Sequence, residues 1–189
     1  MRFSIFHWAI VLLIVGVPVF FAVRSARKPS QNPTELVGFG GWLMLLAIGQ
    51  ALAPLRTLAD LANSAEGYRY LMTVPNGPVA VYGEIALNLA FLALQLVVLV
   101  SMLRRSHRFP LLFICQWFAI PVALILDTAW TSSMLGIPVN KLLAGDALVM
   151  PLASFVFTGI WAAYVYKSVR VGNTFTRTNA SGQIASVRG

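Results

Sequence analysis

Charged side chains are scarce in this sequence. Only 11% of its 189 residues are Asp, Glu, Lys or Arg, whereas 58% are hydrophobic and the mean hydropathy is +0.77. Soluble domains usually have about a quarter of their residues charged. A water-soluble fold of this size could not cover its surface with so few charges. The composition therefore excludes an ordinary soluble domain and predicts an integral membrane protein.

Cysteine and histidine are nearly absent as well. Cys115 is the single cysteine and stands in an apolar run, so we predict a small buried side chain and no intramolecular disulfide. His7 and His107 are predicted at opposite ends, which excludes a haem held by both. No phosphate-binding loop, nucleophile elbow or zinc-binding helix motif occurs. We predict no cofactor, no metal site and no catalytic residue, which disfavours an enzyme without excluding one.

Five apolar runs are long enough to cross a bilayer, which takes about 20 residues. They cover residues 5–23, 40–61, 81–103, 109–130 and 142–166. The first run is longer than the apolar core of a secretory signal and lacks a convincing cleavage site. We therefore predict an all-α membrane protein, a four-helix transmembrane bundle plus one additional N-terminal helix. Its parts are an anchor (1–25), a basic linker (26–35), the bundle (36–177) and a flexible tail (178–189).

Basic residues alternate between rich and poor segments along the chain. The segments after the first and third runs and the tail are rich in Lys and Arg, and the other loops are poor. By the positive-inside rule, the N-terminus lies outside and the C-terminus in the cytoplasm. Lys167 and Arg170 are expected to contact anionic lipids at that face. The net charge of +8 thus does not require nucleic acid as a partner.

Polar residues inside membrane spans are functional candidates by default. The topology places six of them in one layer near the outer face: Arg56, Asp60, Glu84, Asn88, Asp127 and Asp146. One interpretation is a polar cavity that binds a cation, a proton or a small polar ligand, with clustered carboxylates that exchange protons. The other is structural: Arg56 pairs with Glu84 or Asp127, or with Asp60 on its own helix, and the remaining carboxylates are solvated among headgroups.

Two further features concern helix packing. Gln95 and Gln116 are isolated amides in apolar runs, and we predict that they form hydrogen bonds between helices. Pro121 and Pro151 stand inside the fourth and fifth runs, where we predict kinks.

Both ends of the four-helix region carry a motif. The first is Gly40-Gly41-Trp42, leading to Arg56, and the second includes Ser168, Arg170, Val171, Thr174 and Phe175. With these motifs the chain resembles the DUF2569 family of bacterial multi-pass membrane proteins over residues 36–175. Val169 departs from that pattern, which usually has a basic residue there. The family has no known function, so the resemblance implies a fold and a location in the bacterial plasma (inner) membrane but no reaction.

The second motif has a structural and a functional interpretation. Asn173, Thr174 and Phe175 could fold back on the glycine-rich segment before the second run, or they could bind a partner protein. Our leading hypothesis for the whole chain is a non-catalytic membrane protein, an accessory or assembly subunit of a larger complex that binds its partner through the first helix. The alternative is a small transporter or proton-coupled carrier that uses the outer polar layer, and an intramembrane enzyme ranks third.

Overall fold

The computed structural model describes residues 37–175, apart from the side chain of Asp146. Within this range every element is helical. The helices are α1 (Trp42–Asn63), α2 (Ala65–Leu71), α3 (Gly77–Leu103), α4 (Phe109–Leu135), α5 (Val139–Leu142), a 3-10 helix (Gly145–Leu148), α6 (Val149–Lys167) and α7 (Val169–Phe175). The predicted anchor, linker and tail lie outside the described residues, so the fifth spanning helix stays a prediction.

Four of these helices, α1, α3, α4 and α6, are long and apolar enough to cross a membrane. α1 packs against α3, α3 against α4, and α4 against α6. The connections between them are short, so successive helices run in opposite directions. The predicted four-helix membrane bundle is confirmed, and the chain is a multi-pass membrane protein.

The bundle has two different ends. Residues 37–41, the loop 104–108 and α7 lie at one end, which we call the basic end. Residues 64–76 and 136–148, including α2 and α5, lie at the opposite end. The short helices α2, α5 and α7 were not predicted, because each is shorter than the window of about 11 residues in which helical periodicity can be recognised.

Glycine and proline explain where the helix boundaries differ from the predicted ones. α3 starts one turn early, at Gly77, because Pro78 suits the first turn of a helix. α4 continues past Trp130 and stops at Gly136, which has a left-handed φ of 67°. The last spanning helix begins at Val149 instead of residue 142, after a break at Gly145 (φ 64°). Pro151 consequently stands in the first turn of α6, where it removes no intrahelical hydrogen bond, so the reason for a kink there disappears.

The best-packed part of the core lies at the basic end. Phe109, Phe113 and Phe175 are each at most 1% exposed, and the rings of Phe109 and Phe175 have centroids 4.5 Å apart. Elsewhere the spanning helices leave many large apolar side chains exposed on the outside of the bundle. Such surfaces are stable in lipid, because acyl chains are as apolar as the side chains themselves.

Candidate functional site

Polar side chains line the inward faces of three spanning helices. We call them the polar seam: Gln50 and Thr57 of α1, Glu84, Asn88 and Gln95 of α3, and Gln116 and Asp127 of α4. Residues seven or eleven apart fall on one face of a helix with 3.6 residues per turn. Gln50 and Thr57 are seven apart, and Glu84 and Gln95, like Gln116 and Asp127, are eleven apart. Each helix therefore contributes one narrow polar stripe to the bundle interior.

The middle of the seam is closed by hydrogen bonds between helices. Gln50 Nε2 donates to Gln116 Oε1 over 2.9 Å, and Gln116 Nε2 donates in return to Gln50 Oε1 over 3.3 Å. The hydroxyl of Thr57 donates to Gln95 Oε1 over 3.1 Å. The predicted interhelical bonds of Gln95 and Gln116 are thus confirmed. Their partners on α1 were not predicted, although the seven-residue spacing of Gln50 and Thr57 is visible in the sequence.

The end of the seam opposite the basic end holds two carboxyl groups, Glu84 and Asp127, which we call the acidic pair. Each lies about 11 Å, or two turns, from the end of its helix. The hydroxyl of Tyr68 donates to Glu84 Oε1 over 2.9 Å. Asp127 interacts electrostatically with both Glu84 and Tyr68. Its Oδ1 atom is buried and has no hydrogen-bond partner among the described residues.

Tyr68 is a member of this site that the sequence did not suggest. It belongs to α2, a short helix outside the spanning segments. Partial burial, followed by the hydrogen bond to Glu84 and the charge of that carboxylate, raises the pKa of Tyr68 to about 12. The phenol therefore stays protonated at neutral pH and remains a hydrogen-bond donor to Glu84.

The rest of the predicted outer layer is arranged differently. Arg56 Nε lies 3.6 Å from Asp60 Oδ2, and both side chains are about two-thirds exposed. Arg56 thus pairs with Asp60 on the bundle surface, and the alternative in which it locks the bundle through Glu84 or Asp127 is wrong. Asn88 Nδ2 donates to the backbone carbonyl of Glu84 over 3.0 Å. Asp146 lies in the 3-10 helix before α6, outside the spanning segment in which we predicted it.

The basic end is held together by contacts that we call the clasp, formed by residues 38–40 and 168–175. The backbone N–H of Gly38 donates to Thr174 Oγ1 over 2.9 Å. The rings of Phe39 and Phe175 meet edge to face at 6.4 Å. The predicted fold-back of Thr174 and Phe175 on the glycine-rich segment is therefore confirmed. Docking of a partner protein on the same motif stays a prediction.

The remaining motif positions at this end support the clasp. The Arg170 guanidinium lies against Gly40, where a β-carbon would collide with it. Val171 is buried, and its N–H points at the Ser168 hydroxyl oxygen over 3.4 Å. Gly41 has a φ of 57°, which favours glycine immediately before α1. Beside it, Trp42 contacts Trp161 at 6.3 Å between ring centroids. Only Arg56, of the motif positions, lies far from the clasp.

Two other predictions concern metals and the cysteine. Among the described side chains, no three His, Cys, Asp or Glu residues gather as a metal site requires. Cys115 is exposed on the outer surface of α4, so the prediction of a buried side chain is wrong. An apolar neighbourhood in the sequence does not distinguish the core from a lipid-facing surface.

Comparison with known proteins places the chain in a family. No curated protein and no solved structure matches it. A family model described as "Protein of unknown function (DUF2569)" matches residues 36–176. The match includes all four spanning helices and both halves of the clasp, and it covers well over half of the 189 residues. The chain therefore belongs to the DUF2569 family, whose function is unknown.

Proposed function

We propose that this membrane protein is a small proton-coupled carrier in which the acidic pair takes up and releases a proton. The observation that supports it is the buried Oδ1 atom of Asp127, which has no hydrogen-bond partner among the described residues and lies beside Glu84 within the spanning helices. Ionisable groups at such depth are costly to keep, and carriers use them as proton relays.

The surroundings of the two carboxyl groups differ. Glu84 accepts a hydrogen bond from Tyr68, which favours its ionised form. Asp127 Oδ1 has no such donor among the described residues. Two neighbouring carboxylates in a poorly hydrated site repel, and one shared proton relieves that repulsion. We therefore expect a proton that enters the pair to reside on Asp127, with Glu84 as its counter-charge.

The polar seam extends the site toward the basic end. Asn88 follows Glu84 on α3, and the bonds between Thr57 and Gln95 and between Gln50 and Gln116 lie beyond it. Beyond them, the aromatic core around Phe109 closes the bundle. A small polar substrate could exchange these internal hydrogen bonds for its own. In the predicted orientation, the acidic pair would open toward the outside of the cell.

Infrared difference spectroscopy of the full chain in lipid, recorded as the pH is stepped, tests the proton site. The protonated carboxyl band should change in Asp127→Asn, whereas Asp60→Asn, which removes an exposed carboxylate at the same end of the bundle, should leave that component intact. A spectrum of Asp127→Asn identical to that of the wild type would show that Asp127 does not take up the proton.

Proteoliposomes test transport itself. With a panel of small polar solutes supplied in turn, an imposed membrane potential should drive proton entry through the wild type that depends on one of those solutes, and Glu84→Gln or Asp127→Asn should reduce it to the level of protein-free vesicles. Both variants should remain folded and inserted, as judged by circular dichroism and protease protection. Full proton flux in both neutral variants would contradict a carrier that works through this pair.

An accessory or assembly subunit is the second candidate function. It rests on the predicted helix within residues 1–25, which lies outside the described residues, and on the exposed apolar face of α6. Phe157 and Ile160 of that face are each 64% exposed, and α6 packs mainly on one spanning neighbour, α4. Native electrophoresis with mass spectrometry should then show a stable larger complex that dissociates when residues 1–34 are deleted. Retention of every partner by the shortened chain would remove the reason for this hypothesis.

A further inference from the structure

A groove at the basic end runs between the last turns of α3 and the first turn of α4. It has a volume of about 420 Å³. One side is an apolar wall formed by Leu96, Val97, Val100 and Leu112. The wall belongs to spanning helices and is open to the lipid, since Val97 is 52% exposed. The other side, at the helix ends, is polar.

Two guanidinium groups stand at this polar mouth. Arg104 follows the last residue of α3, and Arg108 precedes the first residue of α4. No Asp or Glu occurs anywhere between residues 85 and 126. Neither arginine forms an ion pair within residues 37–175, where the one such pair joins Arg56 to Asp60. Within the described residues, the mouth therefore carries two positive charges that no acidic side chain pairs with.

The loop between them keeps its third arginine away from the groove. Arg105 has a left-handed φ of 51°, and its guanidinium lies 5.7 Å from the centroid of the Phe39 ring, in the clasp. Ser106 faces the groove instead, and its hydroxyl oxygen accepts the N–H of Arg108 over 3.3 Å. That hydroxyl can still donate its own hydrogen to an anion. Arg104 and Arg108 thus line the groove, whereas Arg105 contacts the clasp.

We propose that this groove is a binding site for one anionic phospholipid. The phosphate would lie between Arg104 and Arg108, since guanidinium groups bind phosphate oxygens through paired hydrogen bonds. One acyl chain would lie against Leu96, Val97 and Val100. The order of the features, charge at the helix ends and an apolar wall inside the span, matches the order of headgroup and chain in a bilayer. A zwitterionic choline lipid fits less well, because its own cation would face the same two arginines.

Native mass spectrometry of the purified full chain, titrated with phosphatidylglycerol or phosphatidylcholine, tests the site. The wild type should retain one phosphatidylglycerol in preference to phosphatidylcholine. Arg104→Gln with Arg108→Gln should weaken that binding about thirty-fold, since each basic contact to an anionic lipid contributes a several-fold gain. Arg56→Gln with Arg69→Gln removes the same charge at the opposite end and should leave binding within about two-fold, because distant charges are screened.

A second variant distinguishes lipid binding in the groove from general attraction to a positively charged surface. Val100→Trp keeps every charge and fills the apolar wall at a lipid-exposed position, so folding should be unaffected and retention of phosphatidylglycerol should fall as far as in the double arginine variant. Unchanged binding in Val100→Trp would overturn the proposal in favour of diffuse attraction. Equal retention of the two lipids would overturn it as well. So would displacement of phosphatidylglycerol by millimolar inorganic phosphate, which would indicate a site for a free anion.

Discussion

The hydroxyl of Tyr68 donates a 2.9 Å hydrogen bond to Glu84 Oε1 and so connects a short helix outside the spanning segments to a carboxylate within them. Glu84 is thereby solvated by a fixed protein donor, which a carboxylate at that depth needs in place of water. The same bond attaches α2 to α3 beside the acidic pair. Substitution or ionisation of Tyr68 therefore removes the hydrogen bond that Glu84 accepts in the candidate site.

Replacement of Tyr68 by Phe should alter how stability depends on alkaline pH. The pKa of Tyr68 is raised from 10.0 to about 12, so folding favours its neutral form. The associated stability is fully present below pH 10 and is lost as the pH rises through 12. Tyr68→Phe has no phenol to ionise there, so its stability should decline less than that of the wild type in this window. Thermal unfolding at stepped pH measures this, and the exposed Tyr82→Phe is the control. Identical pH profiles for Tyr68→Phe and the wild type would contradict the prediction.

Gln50 and Gln116, which donate a hydrogen bond to each other, should contribute jointly to the free energy of unfolding. Gln116→Leu leaves Gln50 without its partner inside the bundle and should lower stability by about 1–2 kcal/mol. Adding Gln50→Leu removes the orphaned amide and should restore most of that loss. A double-mutant cycle by unfolding in mixed micelles should therefore give a coupling of about 2 kcal/mol, because each single variant orphans one amide and the double variant orphans neither. Additive single effects would mean that the two amides do not depend on each other.

The free energy of unfolding should depend far more on Phe175, in the clasp, than on a phenylalanine exposed on the bundle surface. Phe175→Ala empties a site that is 1% exposed and removes the ring contacts to Phe39 and Phe109, so it should cost about 3 kcal/mol. Phe118 on α4 is 54% exposed, and Phe118→Ala should cost less than about 1 kcal/mol because lipid replaces the lost contacts. Equal losses in the two variants, measured by thermal unfolding in detergent, would argue against a packed clasp.

Two glycines inside helices should respond in opposite directions to alanine. A β-carbon on Gly83 would overlap the indole of Trp130, a rigid ring whose Nε1 donates to the Ala80 carbonyl over 3.2 Å. Gly83→Ala should therefore destabilise the bundle by about 1–2 kcal/mol. Gly49 has open space around its hypothetical β-carbon, so Gly49→Ala should stabilise by about 0.5–1 kcal/mol. A Gly83→Ala variant at least as stable as the wild type in its unfolding curve would contradict the close approach of α3 and α4 at Trp130.

The positions of the four described spanning helices along the chain follow from hydropathy alone. Hydropathy is a local property, and runs of about 20 apolar residues have few alternatives to a membrane helix. The glycine-rich and closing motifs likewise indicated a contact at one end, and Thr174 and Phe175 make it. Boundaries set by single residues were less accurate, as at Gly145, where one left-handed residue moved the start of α6 by seven positions.

The sequence by itself determined the membrane setting, the four described spans, and the end of the bundle at which each loop lies. Only the tertiary structure decided which side chains meet: Gln50 with Gln116, Tyr68 with Glu84, and Arg56 with Asp60. The physical reason is that a spanning helix is apolar around most of its circumference. Because lipid is as apolar as a protein core, the apolar residues do not mark the inward face. The few polar residues of the seam mark one face of a helix but not its partners, which are set by packing against the neighbouring helices.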